Sequence, residues 1–416
     1  MRIGLTTATA LLACLPSFAR SQEVDRNRVE SQAAGQAAEA DRLFKRGEFE
    51  AALPIYEAER ASRAALGDVR YEAYALRAIG LCRAELGDDE GGIESWALAR
   101  ALDLKREDKG YAGYDDFLIA QAELRLGRTA GGVATLERAL PRLSEAVDRD
   151  HETDARLVLT RTLVALGRAE EARPHVARAM KLAGELNDAW RLADAWASSG
   201  QVEGALGRAS LALERFSDAR EAFEEQGRAG EAAWMQTTSA STLILLGRPD
   251  LALPRFEEAA AVHEHLEDGG ALSEDLAAIA GLQLEAGRLE PALASARKAV
   301  DQARDVDDRP REVEARVRLA QIEGARGDWA AASETLDEAV GLIRQVARDD
   351  PAEQVRLLLT AAEADDRAGN RERARKRLEA AARQADESGS VVLQKIVVKA
   401  REQVPGPPLP SNGPPK

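Results

Sequence analysis

AQAELRLGRTAGGVATLERA, residues 120–139, holds one full instance of a pattern that organises the whole chain. Gly127 interrupts two runs of strong helix formers, seven residues after the small Ala120 and five before the small Gly132. Four residues beyond Gly132 comes the bulky Leu136, and three beyond that Ala139. Spacings of four and three keep those residues on one face of a helix. Glycine suits the interruption because it enters the left-handed conformation that closes a helix without a Cβ penalty.

Outward from this stretch the same glycine stands at Gly47, Gly87, Gly127, Gly167, Gly207, Gly247, Gly287 and Gly327, each 40 residues after the last, and a ninth is displaced by two to Gly369. Such a period marks a repeat architecture. The small column before the turn reads Ala40, Gly80, Ala120, Thr160, Gly200, Ala240, Ala280, Ala320 and Ala362. After the turn the small column runs from Ala52 to Ala374, the bulky one from Tyr56 through Trp96 to Leu378, and a third small one from Ala99 to Ala381. Small residues on both helices let the axes approach while the bulky residue packs between them. Each unit therefore reads as two antiparallel helices.

A small residue, a turn glycine, then alanine, a bulky residue and alanine resembles the tetratricopeptide repeat, over roughly residues 29–388. The units are six residues longer than the usual 34 and lack its proline column, so they are similar to the 40-residue variety of bacterial regulatory and peptidase-associated proteins and cargo adaptors. The resemblance implies an all-α, right-handed α-solenoid of about nine antiparallel helix pairs. Residues 391–403 read as an amphipathic capping helix with Leu393, Ile396, Val397 and Ala400 on its inner face. Residues 404–416 hold six prolines and no periodicity, which predicts an extended tail.

Composition agrees with helix: aromatics are 4% of the chain, and 57 Lys and Arg interleave with 72 Asp and Glu as on solvated helix faces. A net charge of −15 without a basic face argues against nucleic acid as a partner. The N-terminus, MRIGLTTATALLACLPSFA, has the parts of a secretory signal over residues 1–19, with cleavage after Ala19. Leu11-Leu12-Ala13-Cys14 also fits a lipoprotein box, in which Cys14 is lipidated. Both readings predict export to a bacterial periplasm or cell envelope, with no transmembrane segment after processing; if neither holds, the protein is cytoplasmic. Cys82 then has no intrachain partner, so packing alone holds the fold.

No catalytic motif, metal site or cofactor site is legible. His263 and His265 are two apart on a helix, pointing about 200° from each other, and both read as surface residues. Cys82 reads as packing. The function expected is non-catalytic: a scaffold or adaptor that takes a protein or peptide in a groove lined by the first helix of each unit, as the resemblance implies. Two alternatives stand beside it, a regulatory or sensory partner of a peptidase or signalling enzyme, and a self-associating envelope protein.

Helical spacing along that face nominates Tyr74, Arg77, Tyr114, Phe117, Gln121, Arg125, Arg161 and Trp234 as partner contacts. Four of the five tyrosines, Tyr71, Tyr74, Tyr111 and Tyr114, fall in register on adjacent units. Tyr71 and Tyr111 are expected to pack between units; for Tyr74, Tyr114 and Phe117 packing and binding stay equally open. The Lys and Asn clamp with which some tetratricopeptide co-chaperones grip a carboxylate is not reproduced, because the comparable positions hold Asp41, Leu81, Gln121, Arg161 and Gln201.

Overall fold

The computed structural model describes the backbone over residues 8–403 apart from 347–349, and side chains over 26–402 with the same gap. The signal reading, the lipidation site at Cys14 and the proline-rich segment lie outside the described residues.

The described residues form helices joined by turns of two or three residues, apart from the connection that contains the undescribed 347–349. In a first compact unit, α1 (Ala8–Lys45) packs on α2 (Phe49–Leu66), α3 (Val69–Glu85) on α4 (Asp89–Lys105), α5 (Lys109–Arg125) on α6 (Thr129–Glu145) and α7 (Arg149–Ala165) on α8 (Ala169–Leu186), with α9 (Ala189–Ala205) following. The chain passes to a second unit within α10 (Ala209–Glu225). There α11 (Ala229–Leu245) packs on α12 (Pro249–His265), α13 (Gly269–Glu285) on α14 (Leu289–Asp305), α15 (Arg309–Ala325) on α16 (Trp329–Val346) and α17 (Pro351–Arg367) on α18 (Arg371–Glu387). A last helix, α19 (Val391–Gln403), rests on α18 and α17. Consecutive packed helix pairs make this an α-solenoid of repeats.

The turn glycines sit at positive φ, as their column predicts. At the first of them in α3–α4, the Gly87 N–H donates to Ala84 O at 3.0 Å and the Asp88 N–H to Arg83 O at 2.8 Å, which satisfies two carbonyls of the closing helix. Asp88 then caps the next helix by accepting from the Gly91 N–H at 2.9 Å. The same turn recurs halfway through the repeat, where no glycine column announces it. There the left-handed residues are Gly67, Glu107, Val147, Asn187, Gly227, Glu267 and Asp307. Each is followed by an N-cap position held by Asp68, Asp108, Asp148, Asp188, Asp268 or Asp308, with Arg228 the exception.

Val147 is the misfit of that column. A β-branched residue at φ 59° crowds its own backbone, and its side chain is 66% exposed, so it gains little from burial. Val147→Gly is expected to raise stability by about 1 kcal/mol, read as a higher thermal midpoint; an unchanged midpoint would show that the turn carries no strain.

All four sequence columns are buried. Close approach is sharpest at Gly80, where an added Cβ would lie 2.4 Å from Trp96 Nε1, itself donating to Arg77 O at 3.1 Å. Ala292 is fully buried in an apolar cluster of the second unit. Ala292→Leu should cost on the order of 1–3 kcal/mol through overpacking, measured by denaturant titration; a neutral result would contradict the close packing of α13 on α14. On the last helix Val397 is buried and Leu393 half-buried, and Ile396, though partly exposed, lines one cavity with Leu393, Ala400 and residues of α17; Val391, Val392 and Val398 are exposed. These exposures follow from α19 having α17 and α18 on one side and nothing described on the other. Among the described residues no helix is long and apolar enough to cross a membrane.

Candidate functional site

Successive first helices α1, α3 and α5 place their aromatic residues along one groove of about 340 Å³ in the first unit. Asp68 and Asp108 cap α3 and α5 by accepting from the Tyr71 and Tyr111 N–H groups, which fixes the start of both helices in the same register. One turn on stand Tyr74 and Tyr114, and α1 contributes Asp41, Phe44 and Lys45. Ala78, Leu81, Arg77 and Tyr56 complete the lining.

The floor is rigid because its polar groups are tied down. Asp41 accepts from the Tyr56 hydroxyl at 2.7 Å and from the Tyr74 hydroxyl at 3.1 Å. Burial and the Asp41 charge push the Tyr74 phenol up to about 12, so it stays a donor throughout the physiological range. Arg77, on α3, is buried and reaches Asp115 of α5 at 2.7 Å and Asp103 of α4 at 2.6 Å. Burial of Asp115 outweighs the pull of Arg77 and raises its carboxyl above the ordinary range, and Asp103 is raised for the same reason. Tyr111 lies with its ring centroid 4.7 Å from the Arg77 guanidinium carbon, a cation–π contact, and Tyr114 stacks on His151 at 4.1 Å.

Above this floor Tyr74 is 42% exposed and Tyr111 46% exposed. Tyr71 and Tyr111 were expected to pack between units: each ring lies over an arginine of the preceding unit, Tyr71 over Arg63 at 4.4 Å and Tyr111 over Arg77, while about half of each residue stays open to solvent. The Tyr111 and Tyr114 hydroxyls have no hydrogen-bond partner among the described residues. The groove thus offers flat apolar faces, two phenolic donors, and one cation without an ion pair, Lys45.

Several nominated contacts belong elsewhere. Phe117 is buried in the core of the α5–α7 region and packs on Tyr114 from beneath. Arg77 lines the groove but is buried and paired with two carboxylates, Asp103 and Asp115. Arg125 of α5 is engaged with Asp89 at the start of α4, and Arg161 of α7 with Asp194 of α9. Gln121 is half-buried outside the groove lining. Trp234 lies on α11 in the second unit, 37% exposed. The sequence reading passed over Phe44 and Lys45, since α1 shows no tyrosine in register, and it took Tyr56 for core alone although its hydroxyl reaches the groove.

A second polar cluster lies in the other unit and corrects the reading of His263 as a surface residue. His263 on α12 is buried, with Nδ1 2.7 Å from Asp275 Oδ2 of α13, and Thr237 of α11 donates to Asp275 Oδ1 at 2.6 Å. His265 is exposed. Cys82 is buried, and burial pushes its thiol up to about 11, which leaves it inert as a nucleophile at neutral pH. Among the described residues no group of three or more His, Cys, Asp or Glu side chains could hold a metal ion.

No protein-family model matches the chain, and no curated protein matches its sequence. Solved structures do share its fold. One is a signal transduction ATPase with a tetratricopeptide repeat sensor from Pyrococcus horikoshii, 13% identical with a TM-score of 0.58; the match takes in 90% of this chain and 55% of that one. RapI in its apo form is 14% identical with a TM-score of 0.61, over 89% of this chain and 98% of its own. A Rap protein complexed with competence and sporulation factor is 15% identical with a TM-score of 0.52, over 89% of this chain and 99% of its own. The fold is the tetratricopeptide-type helical repeat; at these identities the likeness speaks to fold alone.

Proposed function

We propose that the chain is a non-catalytic adaptor that holds an extended segment of a partner protein in the tyrosine groove of α1, α3 and α5. The observation that carries this reading is the pairing of exposed tyrosine faces and unpartnered phenol hydroxyls with a floor already locked by Asp41 and the Arg77 cluster. Tyrosine supplies a large contact area at low entropic cost, and a fixed floor lowers the ordering penalty of binding. A neighbour of the same fold, the Rap protein, is complexed with a factor, which supports partner binding as a use of this architecture.

The test is affinity capture from the native host with wild type and with Tyr74→Ala combined with Tyr111→Ala. The double variant gives up the Tyr74–Asp41 bond and the Tyr111–Arg77 contact, so it should stay helical with a modestly lower thermal midpoint while losing the captured partner at least tenfold. A partner retained in full by the folded double variant would move the binding surface elsewhere on the solenoid.

A further inference from the structure

Resting on the groove reading above, we infer that the tyrosine groove receives the proline-rich segment 404–416 of a second copy of this chain. The segment reads VPGPPLPSNGPPK. Proline favours the polyproline II helix, which has three residues per turn and no internal hydrogen bonds. In that form Pro405 and Pro408 would share one edge and Pro407 and Pro410 another, with the backbone carbonyls between them open to an external donor. Aromatic-lined grooves recognise this P-x-x-P form by stacking prolines between rings and donating to the carbonyls.

The groove has what that ligand lacks. Tyr74 and Tyr111 present exposed faces on adjacent helices, Phe44 and Leu81 extend the apolar lining, and the Tyr111 and Tyr114 hydroxyls are donors without partners among the described residues. Segment 404–416 contains no acidic residue and one lysine, so it approaches a chain of net charge −15 without overall like-charge repulsion. The segment follows α19, which rests on α18 and α17 as the last helix of its unit, whereas the groove is built on the first helices of the chain. Supplied by a second copy, the contact is heterologous, tail into groove, and propagates into open chains.

The experiment titrates a labelled synthetic peptide of residues 404–416 with the full-length protein at dilute, monomeric concentration, and follows mass by light scattering as protein concentration rises. Saturable peptide binding, weakened at least tenfold by Tyr74→Ala with Tyr111→Ala and by Pro407→Ala with Pro410→Ala in the peptide, is expected. Mass should rise with concentration for wild type and stay monomeric when the same two prolines are replaced in the full chain, a change outside every described helix. Absence of peptide binding overturns the inference, and if captured partners are still lost from the tyrosine variant, the adaptor reading stands without it. Peptide binding by a chain that remains monomeric at all concentrations overturns the assignment to a second copy.

Discussion

Arg77→Leu is expected to lower the stability of the first unit by about 3–5 kcal/mol, because it strips a buried carboxylate of its only described cation. Arg77 bridges α3 to α4 and α5 through Asp103 and Asp115. Arg106 still reaches Asp103 at 2.9 Å in the variant, so Asp115 is the group left buried and unpaired. The chain supplies its own control, for the next repeat carries Phe117, Leu143 and Ala155 at the three equivalent positions, 40 residues on, and all are buried. Arg77→Phe, Asp103→Leu and Asp115→Ala together should restore stability to wild-type level or exceed it by about 1–4 kcal/mol. Denaturant titration with hydrogen exchange over α3 and α5 measures both. A single variant within 1 kcal/mol of wild type would mean that Asp115 is solvated or neutral, and the rigid floor of the groove would lose its foundation.

The second large effect lies 160 residues further along, at the same three repeat positions, now Thr237, His263 and Asp275. His263→Leu removes the cationic partner of Asp275, which is fully buried, and should cost about 3–5 kcal/mol. The pair also gives the protein a pH signature. Burial pulls the His263 imidazole down, but the hydrogen bond and charge of Asp275 outweigh it and hold it above the ordinary histidine value. A group raised in the folded state binds its proton more tightly there than when unfolded. Its contribution is therefore complete below about pH 6.5, the unfolded value, and is lost as pH rises through the folded one. Compared with an apolar triple variant, Thr237→Val with His263→Leu and Asp275→Leu, wild type should lose stability between mildly acidic and mildly alkaline pH. Thermal midpoints at pH 5.5 and 8.5 decide it; a parallel pH dependence in the two proteins would mean that His263 is neutral throughout.

These clusters mark the limit of what a repeat pattern reveals. Averaging over units shows the small and bulky columns, and in so doing hides positions that are apolar in most units and polar or charged in a few. His263 was read as a surface residue because two positions on a helix turn it away from His265, and Arg77 as a partner contact from spacing alone; both are buried as partners of carboxylates on a neighbouring helix. The half-repeat turn escaped for a different reason. Its left-handed position is filled by Glu107, Val147, Asn187, Glu267 and Asp307 rather than glycine, although the aspartates that follow them at 40-residue intervals were visible as a column of helix caps.

The tyrosines were partly legible. Their register on adjacent units gave Tyr74 and Tyr114 to the groove, but exposure depends on the rotation of each helix against its neighbours, which no spacing states. Tyr111 turned out to face solvent over a paired arginine, and Phe117, three residues past Tyr114, turned into the core. The groove wall from α1 was invisible for the same reason.

By itself the sequence determined the helical class, the 40-residue period, the pairing of helices and the buried columns, because each rests on local spacing repeated many times along the chain. Tertiary structure alone decided which charged residues are buried as partners, which aromatic faces remain open, and where the first helices meet to form a groove. Those outcomes depend on contacts between residues some 12 to 38 positions apart, and burial inverts the meaning of a charge only once a neighbouring helix covers it.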